Sequence, residues 1–342
     1  MEGKRLSDNQ LDIAILTYNR APVLRLWLSH NLDKVFEYNI ALTIFDGSTS
    51  DETKMLIEEI NGRIGCNRIK YFYYDSNIRI DERAIDGILK SESEYVWLLG
   101  DSKELDFDEI IGKCKDGIDN HIDYVCIWDR GVEDKDGMVY EDSVLFLQEC
   151  FWHATWLGGL IIKRDLFKPL YDNTVRNQFL AKYNRKDGFS YVGIFFELIG
   201  GAPSSKGLLI STRKIVELGI LGKTKNPSWL PRYMDVWCGN LIYVIDSLPE
   251  IYDKAKTPAL RRTWNKVKLD SYFWLSQARI KGGLDSEIFK KYDDNGMIGR
   301  VSTHRSRMRI FSYMPIWFSK LILTSLHIRK ITIECAKTII KR

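Results

Sequence analysis

The first 130 residues alternate short β-branched or aromatic runs with segments whose apolar residues recur every three or four positions, and this alternation restricts the fold more than any other feature. Ile13 to Leu16, Ile40 to Phe45, Ile69 to Tyr74, Tyr95 to Leu99 and Tyr124 to Trp128 read as strands. Val23 to Phe36, Asp51 to Ile60, Asp81 to Lys90 and Phe107 to Ile118 read as helices between them. Ser50 and Asp51 are placed to cap the second helix, and Gly62 to end it. Strand and helix in strict succession imply an α/β fold with a mainly parallel, doubly wound sheet and right-handed connections.

Beyond this region the pattern changes. From Trp152 to Gly201 it is less regular, with a Gly158-Gly159 pair, a strand expected at Leu160 to Ile162 and a helix around Tyr191 to Ile199. The run from Gly200 to Gly207, rich in Gly, Pro and Ser, reads as a loop. After Pro227, Trp229 to Leu248, Pro258 to Ile280 and Ile316 to Ile340 read as helices with broad apolar faces. The expected division is therefore a catalytic or binding domain over residues 1–225 and a basic helical region over 226–342.

With 45% of 342 residues hydrophobic, the chain has ample material for a buried core. A net charge of +4 is too small to argue for nucleic acid, and no nucleic-acid motif accompanies it. The six cysteines are scattered without zinc-ligand spacing and read as reduced thiols of a cytosolic protein. Neither a signal-peptide core nor an apolar stretch long enough to span a bilayer is present in the sequence, so a cytoplasmic location is expected.

Three strands end abruptly in small, polar or acidic residues: Leu16-Thr17-Tyr18-Asn19-Arg20, Phe45-Asp46-Gly47-Ser48-Thr49-Ser50-Asp51 and Trp97-Leu98-Leu99-Gly100-Asp101-Ser102-Lys103. In an open α/β sheet, ligands bind at the carboxyl ends of strands. Each run alone has an ordinary explanation, since Asp46-Gly47-Ser48 is a common turn and Asp51 a common helix cap. Together, in this order and spacing, they resemble the family-2 glycosyltransferases, whose catalytic domain has the GT-A fold. The resemblance covers roughly Leu11 to Ile199 and implies a site for a nucleotide sugar, expected to be a UDP-sugar. It places Asp46 against the base or ribose and Thr17 and Tyr18 on the opposite wall, with Asn19, Arg20, Ser48, Asp101, Ser102 and Lys103 also expected to bind the donor. Arg79 and Arg83, after the third strand, are candidates to fork onto the diphosphate. Arg79 replaces what is often a small residue in the family.

The family's acidic element normally supplies a carboxylate that ligates Mg²⁺ or Mn²⁺. Here Asp101 is followed by Ser102 and Lys103, and a protonated lysine cannot ligate a cation. Either Asp101 holds the metal as its main protein ligand, or Lys103 supplies the positive charge against the leaving group and the enzyme is metal-independent. The second reading is the one favoured, and loss of catalysis is a third.

Family-2 members invert at the anomeric carbon, which implies one carboxylate base on the acceptor side. Asp187 and Glu197 fall in the corresponding window, Asp187 ranked slightly ahead. His153, Trp156 and Gly158 are candidates to form an acceptor platform, although His153 among aromatics is also what a packed histidine looks like. In the tail, Arg300, Arg305, Arg307, Arg309, Lys320, Arg329, Lys330, Lys337, Lys341 and Arg342 are opposed only by Glu334 and interleave with aromatic and aliphatic residues. That pattern suits an anionic membrane surface, with a glycan or lipid-linked acceptor presented at the inner face of the cell membrane. The alternative is a helix that closes the core or makes a homo-oligomer contact. The resulting expectation is an inverting, hexosyltransferase-type enzyme of bacterial surface polysaccharide synthesis. The competing class is a catalytically silent nucleotide-sugar-binding or scaffold protein.

Overall fold

The computed structural model describes residues 5–65, 67–104, 106–129, 135–183, 188–212, 216–217, 229–326 and 328. The chain divides into two compact units, one of residues 1–225 with 247–255 and the other of residues 226–246 with 256–342.

The first unit is built on β1 (Leu11–Thr17), β2 (Ala41–Asp46), β3 (Ile69–Tyr73), β4 (Tyr95–Gly100), β5 (Lys103–Glu104), β6 (Tyr124–Asp129), β7 (Val139–Tyr140), β8 (Leu160–Lys163), β9 (Gly207–Thr212) and β10 (Val216–Glu217). Eight of them form one sheet in the order β3-β2-β1-β4-β8-β6-β9-β7, and β5 pairs with β10 apart from it. β3, β2, β1 and β4 run parallel, as do β6 and β9, whereas β8 lies antiparallel between β4 and β6. The sheet is thus mixed and mainly parallel, as the alternating pattern implied. The helices are α1 (Ala21–Glu37), α2 (Glu52–Ile64), α3 (Ile80–Leu89), α4 (Phe107–Asp119), α5 (Ser143–Ala154), α6 (Asn173–Tyr183) and α7 (Ser190–Gly200).

Every residue of β1 is buried, as expected for a central parallel strand covered on both faces. Side chains alternate across the pleat. Ile13, Ile15, Trp97 and Leu99 join Trp27 and Leu28 of α1, Ile57 and Ile60 of α2 and Ile110 and Ile111 of α4 in one core cluster. On the other face, Ala14 and Leu98 meet α3 at Gly87, where a Cβ would lie 3.4 Å and 3.3 Å from their side chains.

Several local expectations are corrected. α2 runs past Gly62 to Ile64 and ends where Gly65 takes φ +72°, the left-handed conformation that favours glycine. Asp51 occupies its N-cap position, but its side chain makes no capping bond. In the second unit, the first expected helix is a 3-10 turn at Leu230–Arg232, a π-helical turn at Asp235–Asn240 and an α-helix at Leu241–Asp246. The expected Pro258 to Ile280 helix is two, Asp253–Val267 and Tyr272–Ile280. The second starts where the Ser271 hydroxyl accepts from the Trp274 N–H. Of the last expected helix, residues 316–326 are helical. Cys114, Cys126, Cys150 and Cys238 are buried free thiols, and Cys66 and Cys335 lie outside the described residues. Among the described residues no helix is long and apolar enough to cross a membrane.

Candidate active site

Strand register brings the three terminal motifs into line. Thr17 pairs with Asp46 across β1 and β2, and Leu16 pairs with Gly100 across β1 and β4. Thr17, Asp46 and Asp101 therefore sit at one level on three adjacent strands, roughly 4.8 Å apart from strand to strand. Their chains all leave the sheet at its carboxyl edge.

The first two loops are stitched together. Asn19, at φ +51°, accepts at Oδ1 from the Thr49 N–H (2.9 Å) and hydroxyl (3.1 Å), while its own N–H donates to Ser48 Oγ at 2.8 Å. Asn is among the few residues that tolerate this conformation, because its short amide bonds locally. Asp46 is fully buried: Oδ1 accepts from the Ser48 N–H (2.9 Å) and hydroxyl, and Oδ2 from the Tyr71 hydroxyl at 2.9 Å. Burial, and then the Asp46 carboxylate, push the Tyr71 phenol well above its ordinary range. Asp46 thus shapes the turn that follows β2. Tyr18, on the loop after β1, is exposed and presents an aromatic face at this edge.

Arg83 lies beneath the loops. Its Nη1 donates to the carbonyl of Thr17 at 2.6 Å and to that of Phe45 at 3.4 Å, tying the ends of β1 and β2. Gly47 packs on the guanidinium so closely that a Cβ there would sit 2.7 Å from Arg83 Cζ. The sequence suggested that Arg83 reaches the diphosphate; with 4% of its surface exposed, it serves the main chain instead.

Asp101 is buried at the end of β4. The Thr17 hydroxyl donates to Oδ2 at 2.8 Å, and Arg20 Nη1 lies 3.0 Å from Oδ1. Ser102 is buried beside it. Lys103 begins β5, and its ammonium stands 5.2 Å from the centroid of the Trp156 ring, within cation–π range. Among the described residues no group of three or more His, Cys, Asp or Glu could hold a metal ion. Both oxygens of the Asp101 carboxylate are thus bonded within the protein, an arginine on one of them, whereas a hard divalent cation takes several oxygen ligands.

The antiparallel β8 starts at the same edge, which brings the acceptor candidates there. Gly158, at φ +116°, accepts at its carbonyl from the Trp97 indole N–H at 2.9 Å. At Gly159 a Cβ would fall 1.8 Å from the His153 carbonyl oxygen, so only glycine fits the turn. His153, at the end of α5, is buried and stacked on Trp128 with ring centroids 4.6 Å apart. Its ring is packed, and Trp156 is the half-exposed member of the group.

Of the two candidate bases, Asp187 lies outside the described residues. Glu197 is on α7, seven residues from its start, or roughly 10 Å along the axis. There Lys182 Nζ, at 2.7 Å, and the Tyr183 hydroxyl hold its carboxylate, a tie between α6 and α7. The described contacts do not bring Glu197 to the strand-end residues.

One residue of the third-strand segment takes a part the sequence did not signal. Asp81, in the first turn of α3, accepts at Oδ1 from the Ser190 N–H at 3.0 Å and so holds the start of α7. Its Oδ2 and Arg79 Nη2 lie 3.7 Å apart, both buried and neither hydrogen-bonded. Burial raises the Asp81 pKa to about 6, against the pull of Arg79 and of the Ser190 and Tyr191 N–H groups, with Glu82 adding slightly to the rise. Arg79 is thereby paired to the protein.

No protein-family model matches this chain, and no curated protein matches its sequence. Solved structures do resemble it. A mannosyltransferase from Pyrobaculum calidifontis, in complex with GDP-Man and Mn²⁺, aligns over 93% of this chain and 88% of its own at 11% identity and TM-score 0.51. Residues 1–349 of TarS from S. aureus, in complex with UDP-GlcNAc, align over 93% and 91% at 14% identity and TM-score 0.49. Glucosyl-3-phosphoglycerate synthase from Mycobacterium tuberculosis aligns over 71% and 81% at 12% identity and TM-score 0.43. The first of these shows a shared fold, a GT-A-like sheet with a helical extension.

Proposed function

We propose that this chain is a glycosyltransferase that moves a hexosyl unit from a nucleotide sugar, a UDP-sugar in the first instance, to a glycan or lipid-linked acceptor. The observation that carries the reading is the alignment of Thr17, Asp46 and Asp101 on three adjacent strand ends. They lie at the edge where open α/β sheets take ligands, in a fold shared with a mannosyltransferase that binds GDP-Man. The Asp46 turn and the exposed Tyr18 ring form walls suited to a nucleoside, and the Gly158-Gly159 turn with Trp156 offers a platform for the acceptor.

Transfer proceeds with inversion. The acceptor hydroxyl oxygen bonds to the anomeric carbon as the bond from that carbon to the β-phosphate oxygen breaks. The bonding pair leaves on the nucleoside diphosphate, and the hydroxyl proton passes to a carboxylate, for which Asp187 is our candidate. The test is to incubate the purified protein with a panel of nucleotide sugars and acceptor glycans and follow nucleoside diphosphate release. Binding without release with every pair would favour the silent binding protein.

The acceptor side of the proposal is supported by the second unit. Ile310, Tyr313, Ile316, Trp317, Phe318 and Leu321 are all exposed, Trp317 by 62%. Arg309 and Lys320 are exposed among them. An exposed apolar patch bordered by cations fits the surface of an anionic bilayer, where bacterial surface polysaccharide is assembled on lipid carriers.

A further inference from the structure

We infer that the donor diphosphate is met by two fixed side-chain cations, Arg20 and Lys103, in place of a divalent metal ion; this rests on the nucleotide-sugar reading and makes it more specific. Asp101 is the carboxylate on which a metal-bound reading of the acidic element would rely, yet both its oxygens are engaged, Oδ2 by Thr17 and Oδ1 by Arg20. An incoming dication would have to displace the guanidinium or share an oxygen with it, against the repulsion of like charges a few ångströms apart. Asp101 therefore works as an anchor for arginine.

Arg20 is suited to the task that remains. It sits at the N-cap position of α1, where main-chain geometry fixes its origin, and its side chain keeps 39% of its surface exposed. With one nitrogen on Asp101, the planar guanidinium retains donors for phosphate oxygens, a geometry it matches in bidentate fashion. Lys103 is set by a different device. The two-residue pairing of β5 with β10 fixes its backbone, Glu217 lying opposite, and the Trp156 ring receives its ammonium. Arg20 and Lys103 bring two cations to the end of β4, a charge complementary to a diphosphate whose own negative charge grows as the glycosidic bond breaks. Because Trp156 also belongs to the acceptor platform, Lys103 links the two halves of the site.

The experiment uses the full chain and titrates UDP, GDP and uridine calorimetrically, in excess EDTA and then in millimolar Mn²⁺. The inference expects diphosphate affinity to agree within about twofold between the two buffers. Arg20→Gln and Lys103→Gln should each weaken the diphosphate at least tenfold while changing uridine, which lacks phosphate, by less than twofold. Circular dichroism confirms that each variant is folded, and Lys103→Arg should recover part of the affinity. Binding that is lost in EDTA and restored by Mn²⁺ overturns the inference and leaves the nucleotide-sugar reading standing. Equal weakening of uridine and diphosphate overturns it as well, since the residues would then act on the fold of the site. If UDP, GDP and uridine all fail to bind in either buffer, the nucleotide-sugar reading falls and takes the inference with it.

Discussion

Replacing Asp81 by Asn should change how stability depends on pH. In the folded chain burial penalises the charge of the Asp81 carboxyl and raises its pKa to about 6 from the ordinary 3.8. A raised folded pKa means that the folded state holds its proton where the unfolded state has already released it. The contribution is fully present below pH 3.8 and is lost as pH rises through about 6. The difference of about two pKa units amounts to about 3 kcal/mol in all, of which about 2 kcal/mol falls between about pH 4.5 and pH 7.5. Asn has no proton to release there and can still accept from the Ser190 N–H, so the other titrating groups cancel between the two proteins. The assay is urea unfolding of wild type and Asp81→Asn across that range, with the difference in unfolding free energy plotted against pH. Wild type should lose about 2 kcal/mol relative to the variant on going from about pH 4.5 to pH 7.5. Parallel curves within about 0.5 kcal/mol would refute the claim that a buried, incompletely bonded carboxylate holds the start of α7.

Other outcomes follow from single residues. Gly159→Ala forces a methyl group onto the His153 carbonyl and should cost at least about 1–3 kcal/mol in denaturant unfolding, a loss that a harmless surface change would not produce. Asp187→Asn should abolish sugar transfer while leaving donor titrations unchanged; Glu197→Gln should leave turnover within a fewfold and lower stability by about 1 kcal/mol, since it weakens the contacts with Lys182 and Tyr183. The reverse pattern in turnover would move the base to Glu197. Changing Trp317 and Leu321 together to Ser should release the protein from vesicles rich in phosphatidylglycerol in a sedimentation assay, and unchanged partitioning would refute the membrane surface.

The sheet was legible because its central strands are runs of β-branched and aromatic residues buried on both faces, so that Ile13 to Leu16 and Tyr95 to Leu99 announce themselves without periodic ambiguity. The direction of β8 was not, because nothing local to Leu160–Lys163 says whether it runs with or against β4. α5 was missed although Phe146, Leu147, Cys150, Phe151 and Ala154 repeat at helical spacing and Asp142 caps it through the Val144 N–H. Its aromatic residues suit a binding platform as well as the buried face of a core helix. Thr17, Asp46 and Asp101 could be found because they end strands whose order was already implied. Their partners could not: the Arg20–Asp101 pair, the burial of Arg83 under Gly47 and the hold of Asp81 on Ser190 join residues between 36 and 109 positions apart, Gly47 with Arg83 and Asp81 with Ser190. The second unit was legible as helical, but its π-helical turn at Asp235–Asn240 and its break at residues 268–271 depend on packing that periodicity does not encode.

If the strand ends around Thr17, Asp46 and Asp101 bind and activate a nucleotide sugar, nucleoside diphosphate release from a donor panel should separate wild type from Asp101→Asn. Wild type should release nucleoside diphosphate from at least one donor, and Asp101→Asn, whose Oδ1 no longer carries the charge that holds Arg20, should release it a hundredfold or more slowly. No release from any donor, or equal rates for the two proteins, would contradict it.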